Sequence, residues 1–200
     1  MNIRSFSLSL LALGLIVTGS GCAKYKPHPL TMPTSIAQEK KDVMVCAKAM
    51  NERDCRKAFS RRLLSKGYQP VQLMIQNKSK FTYILDAANI QLQVEPADDV
   101  AKKLHLNTAG RVISWASPAL FLWPFIIPAT VEGLKSSGAN KRLDHDFAER
   151  VISDDSRIFI APGSIMHRVM FIRQENYRQS FGLDLFSKEH DELLNFEIKI

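Results

Sequence analysis

The sequence QPVQLMIQNKSKFTYIL, residues 69–85, decides the fold that we predict for this chain. Val71, Leu73 and Ile75 alternate along its first half, which places three branched apolar side chains on one face of a β-strand. The polar run NKSK that follows is typical of a turn. The last five residues are again rich in β-forming side chains and predict a second strand. This stretch therefore predicts two consecutive strands of an antiparallel sheet.

Similar short apolar patterns recur on both sides of this stretch. They lie at residues 42–50, 90–94, 157–161, 165–173, 181–185 and 194–200. A series of about eight short strands, divided by turns, is typical of sandwiches. We therefore predict a mainly β chain with helical insertions (an α+β protein), built as an immunoglobulin-like antiparallel β-sandwich. The Cys…Trp…Cys pattern of true immunoglobulin domains is absent, so the likeness is one of architecture.

Residues 97–153 interrupt the strands with helical patterns, a helix at 97–106 and an amphipathic helix at 140–152. Between them VISWASPALFLWPFIIPATV, residues 112–131, contains no charged residue. Its length would suffice to cross a bilayer core. Its interior prolines each cost a helix about 3 kcal/mol, however, so one straight transmembrane helix is disfavoured. We expect a bent, apolar helical hairpin that ends at the small residues 136–138.

The sequence leaves open what covers this apolar hairpin. It could pack against its own sandwich, against a partner protein or second copy of the chain, or into the interfacial region of a membrane, where tryptophan is favoured. Large apolar side chains dominate the energy of such contacts. The candidate contact residues are Trp115, Phe121, Trp123, Phe125 and Ile126.

The first 22 residues have the composition of an export signal. A weakly basic start, a short apolar stretch and the small residues TGSG precede Cys22. We expect a signal peptide at residues 1–21 and lipid on Cys22, as in bacterial lipoproteins, whose cysteine carries a diacylglyceryl group. Residues 22–40 contain three prolines and predict an extended tether. The domain itself is predicted at 41–200.

Two cysteines remain if Cys22 carries lipid. Exported compartments oxidise thiols, so an even remainder favours a disulfide between Cys46 and Cys55. The alternating pattern around Cys46 predicts a strand, and Asn51 can cap a helix that begins at Glu52. The two cysteines would then lie on different elements, where they could meet.

Charge and motifs exclude several function classes. The chain has 27 basic and 20 acidic residues, and without Arg4 of the signal the charge is 26 − 20, or +6. The basic residues are scattered and export is expected, so nucleic acid is not a predicted partner. The excess favours solubility, with anionic headgroups as the alternative. The sequence has no nucleophile elbow, HExxH or phosphate loop, and we predict no catalytic residue, metal or cofactor. Asp144, His145 and Asp146 are helix neighbours and cannot converge on one ion.

A set of short motifs carries a resemblance to a known family. They are Gly67–Val71, Ile75–Ser79, Trp123–Pro124, Ile127–Ala129, Asn140 and Leu143–Phe147. With these motifs the chain resembles a family of uncharacterised lipoproteins of Gram-negative bacteria over most of residues 40–175. The resemblance implies an anchored β-domain with an apolar helical insert, and it brings no catalytic residues. In the lipoprotein sorting pattern, Ala23 after the cysteine implies the outer membrane.

The function that we predict is that of a non-enzymatic, lipid-anchored protein of the cell envelope. It would be held to the membrane by its N-terminal lipid and would use the apolar hairpin to contact a protein partner, another copy of itself or the membrane. One alternative is a periplasmic ligand-binding module, in which the hairpin covers an apolar pocket for a lipid or peptide. Another is an accessory lipoprotein of an envelope secretion apparatus.

Overall fold

A computed structural model of the chain describes residues 27–30, 32–33, 37–105 and 126–200, with the backbone alone at 126–137. The chain divides into two compact units. Residues 25–105 and 140–200 form one unit, which contains both sheets, whereas helical residues 126–139 belong to the other. Several predictions lie outside the described residues: the signal peptide at 1–21 and the residues Cys22, Trp115, Phe121, Trp123 and Phe125. Of the candidate contact residues, Ile126 alone is described, and only by its helical backbone.

The described residues contain nine strands. They are β1 Gln38–Lys40, β2 Val43–Ala49, β3 Tyr68–Asn77, β4 Tyr83–Ile90, β5 Val151–Ile152, β6 Arg157–Ile160, β7 Ile165–Arg173, β8 Ser180–Ser187 and β9 Glu192–Lys199. They form a five-stranded sheet, β1-β2-β3-β7-β5, and a four-stranded sheet, β6-β4-β8-β9. All the pairs are antiparallel except β5 with β7, which is parallel. The fold is therefore mainly β and sandwich-like, as predicted.

The two sheets share one apolar core. The predicted inward residues Val71, Leu73 and Ile75 of β3 are completely buried, and they belong to the same cluster as Leu185 of β8 and Phe196 of β9. Burial of a side chain of this size contributes about 1.5–3 kcal/mol relative to an exposed position. The alternation that predicted these strands therefore identifies the face that each strand turns inward.

Helices cover the outer face of the five-stranded sheet. They are α1 Glu52–Phe59, α2 Ala97–Leu104 and, of α3 Ile126–Arg150, its residues 140–150. Phe59 of α1 and Phe147 of α3 lie 5.2 Å apart between ring centroids, and they lie 5.6 Å and 5.2 Å from Phe171 of β7. Lys103 of α2 donates a 2.8 Å hydrogen bond to the hydroxyl of Tyr68 on β3. We call α1, α2 and residues 140–150 of α3 the helical layer.

Helix α1 begins as predicted and ends earlier than predicted. The side-chain oxygen of Asn51 accepts a 2.9 Å hydrogen bond from the backbone N–H of Asp54, which is the expected cap. The helix stops at Phe59 because Ser60 takes a left-handed conformation, with φ at 53°. Gly67, predicted as the helix stop, instead ends a short 3-10 turn at Leu64–Lys66, where its φ of 83° suits glycine.

Helix α3 differs from the predicted hairpin. It runs without a break from Ile126 to Arg150, through residues 136–138, where we expected the apolar element to end. Serine and glycine lower helix stability by only about 0.5–1 kcal/mol each. Burial of Leu143 and Phe147 on the helical layer outweighs that cost. The hairpin itself, most of which falls in the undescribed 106–125, and the immunoglobulin-like topology stay predictions.

Three smaller differences concern the strands. Of the two strands predicted at 81–85 and 90–94, the structure has one, β4 Tyr83–Ile90, with an irregular register between Leu85 and Ile90, and residues 91–94 are not part of a strand. Strand β1 forms within the predicted tether, and β5 forms where a helix was predicted to continue. Both additional strands are short edges of the five-stranded sheet, and strands of two or three residues leave no periodic pattern for a sequence to show.

Buried Asn77 joins the two sheets at the turn after β3. Its amide nitrogen donates to the carbonyls of Phe81, Ile160 and Ala161 at 2.7, 3.1 and 3.1 Å, and its oxygen accepts from the N–H and hydroxyl of Ser79. The side chain is completely buried. Because its polar atoms have partners, its burial carries no unpaired-group penalty. The turn that the sequence predicts is thus also the corner of the sandwich.

Candidate functional site

The segment Pro27–Leu30, which we call the docked segment, lies on the helical layer. The backbone N–H of His28 donates a 2.9 Å hydrogen bond to the carbonyl of Lys57 in α1. The carbonyl of His28 accepts a 2.9 Å hydrogen bond from Nη2 of Arg150 in α3. The predicted tether, residues 22–40, is therefore not a free spacer at this point, and β1 ties its last residues into a sheet.

Arg150 connects three parts of the site. Its Nη1 donates to both carboxylate oxygens of Asp146, each at 3.0 Å, and to the carbonyl of Ala58 at 3.1 Å. Its guanidinium lies 5.4 Å from the ring centroid of Phe59, a cation–π distance. The side chains of Arg150 and Asp146 are only 18% and 15% exposed. A charge pair that is mostly removed from water and fully hydrogen-bonded holds its geometry more firmly than a surface pair.

We call residues 106–139 the insertion. The two residues that flank it in the unit with both sheets, His105 and Asn140, also lie on the helical layer. His105, directly after α2, has its Nε2 2.6 Å from Oδ1 of Asp144 in α3. Pro27 lines a surface cavity of about 540 Å³ with Lys141 and Arg142 of the same helix. The first described residue at the N-terminal side and both ends of the insertion therefore lie along residues 140–150 of α3. Those three chain connections share one layer of the molecule.

Two further surface cavities flank His28. One, of about 260 Å³, is lined by His28, Asp54, Lys57 and Gln72 with four apolar neighbours. The other, of about 510 Å³, is lined by His28, Glu52, Arg53, Arg56, Lys57 and Ser60. Both carboxylate oxygens of Glu52 are buried and accept no hydrogen bond from the described residues. Oε1 lies 3.6 Å from Nε of Arg56, so charge attraction compensates part of that burial.

His167 of β7 faces the helical layer. Its Nε2 contacts the amide nitrogen of Gln72, and the ring is half-buried. Burial, and secondly the positive charge of Arg150, lower the pKa of His167 below its usual value. The ring is therefore neutral at neutral pH and serves as a hydrogen-bonding neighbour of Gln72.

The acidic triplet around His145 makes three separate contacts. Asp144 contacts His105, the Nδ1 of His145 lies 3.6 Å from Glu149, and Asp146 pairs with Arg150. This divergence follows from the roughly 100° turn between successive residues of a helix. Among residues 27–30, 32–33, 37–105 and 126–200, no cluster of three metal-ligating side chains occurs.

The predicted disulfide between Cys46 and Cys55 is not formed in the structure. Both residues are buried in the layer between the five-stranded sheet and α1, at 2% and 0% exposure, and no sulfur–sulfur bond joins them. Burial, followed by the negative charges of Glu52 and Asp54, raises the pKa of Cys55 to about 12. A thiol with that pKa stays protonated at neutral pH, and the thiolate is the form that reacts.

Sequence reasoning missed the two residues at the centre of this site. His28 was assigned to the tether, and Arg150 was not singled out. The spacing of Asp146 and Arg150, four residues apart in a predicted helix, is a signal for an ion pair. Their contact with His28 bridges 122 residues of sequence and has no local signature.

Comparisons with known proteins identify no relative. No family model, curated protein or solved structure matches this chain. None of the helices in the described part of the chain combines the length and the hydropathy of a membrane span.

Proposed function

We propose that this chain is a lipid-anchored protein of the cell envelope that holds its apolar insertion beside the membrane that carries the anchor. It is not an enzyme. Its lipid would be attached at Cys22, at the outer membrane, and the sandwich would serve as the scaffold. The insertion would contact the membrane, a partner protein or a second copy of the chain through Trp115, Phe121, Trp123, Phe125 and Ile126.

One observation carries this proposal. The docked segment at Pro27 and the two ends of the insertion, His105 and Asn140, lie on the same helical layer. A lipid on Cys22 would be attached 27 − 22 = 5 residues before Pro27. Five extended residues reach at most about 17 Å. An anchor at that position would therefore keep the base of the insertion close to the lipid surface.

The arrangement favours this function over the alternative of a ligand-binding module. The space between the two sheets is filled by the buried side chains of the core, among them Leu73, Leu85, Leu183 and Phe196. An apolar pocket for a lipid or peptide would need part of that space. An accessory role in secretion would use the same anchor and the same insertion.

The anchor is tested with Cys22→Ser in the native envelope. We expect the variant to move from the membrane fraction to the soluble envelope fraction, because a single cysteine would carry the lipid. Ser20→Ala, which keeps a small residue before the cysteine, is the matched control and should stay with the membrane. A Cys22→Ser variant that remains membrane-bound would show that the lipid is not the anchor.

The contact role of the insertion is tested with Trp123→Ser. We expect weaker association with the membrane or partner and an unchanged β signal in circular dichroism. Phe159→Ser is the control, because Phe159 is an aromatic residue that is already 61% exposed on β6. Loss of the β signal in Trp123→Ser would assign Trp123 to the folded core instead.

A further inference from the structure

The exposed charges around the docked segment are mostly positive. Arg53 and Lys57 of α1 and Lys141 and Arg142 of α3 are exposed, and among the described residues they form no ion pair. Lys57 lines the two cavities beside His28, and Arg53 lines one of them. Lys141 and Arg142 line the cavity beside Pro27. The four cations therefore border the segment through which the chain enters the domain.

The negative charges on the same helices are largely neutralised by neighbours. Glu52 lies beside Arg56, Asp54 pairs with Lys48 at 2.9 Å, and Asp146 pairs with Arg150. Asp144 contacts His105. Glu149, 67% exposed, is left with His145 at 3.6 Å. Asp144 is itself 49% exposed, so the border of the docked segment keeps four cations against two exposed carboxylates, Asp144 and Glu149.

We propose that Arg53, Lys57, Lys141 and Arg142 form a docking surface for the anionic lipid headgroups of the membrane that holds the anchor. This inference rests on the proposed lipid at Cys22, whose reach of about 17 Å brings this border toward the bilayer. The lipid would then limit the distance between the domain and the bilayer, and the cations would determine which face of the domain turns to the membrane.

The strength of the headgroup contact depends on the local concentration of these cations at the membrane surface. A lysine or arginine near an anionic membrane gains about a fivefold factor in surface affinity. Four such residues would bind weakly from bulk solution, but a covalent lipid keeps them at high effective concentration beside the surface. Salt would reverse the effect, because it screens charges beyond about 10 Å at moderate ionic strength.

The test uses the intact acylated protein, reconstituted into vesicles of phosphatidylcholine alone or of an equal mixture of phosphatidylcholine and phosphatidylglycerol. Flotation first reports whether the anchor holds. Acetylation of lysines, followed by mass spectrometry, then measures the accessibility of Lys57 and Lys141. Lys188 and Lys199, exposed residues on the four-stranded sheet and its turn, are the internal controls.

We expect flotation with both vesicles, and acetylation of Lys57 and Lys141 slowed roughly tenfold on the anionic vesicles alone. High salt should remove this protection, and so should the double variant Arg53→Glu with Arg142→Glu. The matched double variant Arg157→Glu with Arg178→Glu, which reverses two exposed arginines elsewhere, should keep it.

The outcomes separate the two proposals. Flotation with both vesicles but equal acetylation of all four lysines would overturn the docking surface and leave the anchor intact. Equal protection on neutral vesicles would also overturn it, since charge would not be the cause. Failure to float with the neutral vesicles would overturn the lipid anchor, and the docking surface with it.

Discussion

The two sheets of this protein differ in the burial of their outer faces. The outer face of the five-stranded sheet is covered by the helical layer, so that β3 buries residues of both faces, such as Leu73 and Met74. No helix of the described residues covers the outer face of the four-stranded sheet, which we call the open face, and in β9 buried and exposed residues alternate strictly from Leu193 to Lys199. Every feature of the candidate site lies on the covered side. The outer face of the five-stranded sheet thus contacts the helices and the docked segment, whereas the four-stranded sheet contributes to the apolar core through its inner face.

Removal of one aromatic ring from each side gives the largest expected contrast. Phe147→Ala removes a buried ring that contacts both Phe59 and Phe171, and should lower the free energy of unfolding by about 3–5 kcal/mol. Phe159→Ala on the open side should change it by less than about 0.5 kcal/mol. Urea unfolding of the two variants measures the contrast. Similar losses would show that the open face is covered by something else.

The next test concerns the polar connection between the helical layer and the docked segment. Arg150→Ala removes a partner of Asp146 and a hydrogen-bond donor to the carbonyl of His28, at a cost of about 1–3 kcal/mol. Amide hydrogen exchange at His28 should also accelerate, because the segment loses one of the two hydrogen bonds that it forms with the described residues of the helical layer. Arg157→Ala, an exposed arginine of β6, is the control. Unchanged exchange in Arg150→Ala would mean that the bond to Lys57 holds the segment alone.

A smaller effect is expected from pH. The pKa of His167 is lowered in the folded protein, so the unfolded chain takes up its proton first as the pH falls. This contribution to stability is complete above the unfolded pKa of about 6.5 and is lost as the pH falls toward the folded value. His167→Gln should therefore flatten the loss of stability between neutral and mildly acidic pH, and His145→Gln, on an exposed site, should not. Urea midpoints measured at several pH values decide this.

The smallest effect belongs to an exposed ion pair away from the helical layer. Nζ of Lys41 lies 2.5 Å from the carboxylate of Glu192, and the two side chains are 58% and 46% exposed. Lys41→Ala should cost no more than about 0.5 kcal/mol. A loss as large as that of Arg150→Ala would remove the distinction between the two regions, and thermal unfolding would reveal it.

The strands were predictable because their pattern is local. Alternation at Val71, Leu73 and Ile75 identified β3, and the same rule identified β2 and β7 to β9. The cover on the second face was less visible, because that face of β3 carries Gln72, a polar residue typical of an exposed face, although Gln72 is only 3% exposed.

The candidate site was predictable only in part. Asn51 as a helix cap and the position of α2 follow from local rules, and the structure confirms both. The continuity of α3 does not, because burial of Leu143 and Phe147 outweighs the weak propensities at 136–138. The contacts of His28 with Lys57 and Arg150 depend on tertiary packing between distant segments. The lipid at Cys22 and the role of the apolar insertion remain predictions.

Helix α3 ends at Arg150 and β5 begins at the next residue, Val151. No loop lies between them, so this junction has no slack. The parallel pairs Val151 with Val169 and Ile152 with Met170 therefore clamp the helix end directly to the sheet. A force applied along the helix axis would act directly on these two residue pairs, because no flexible linker separates them from the helix.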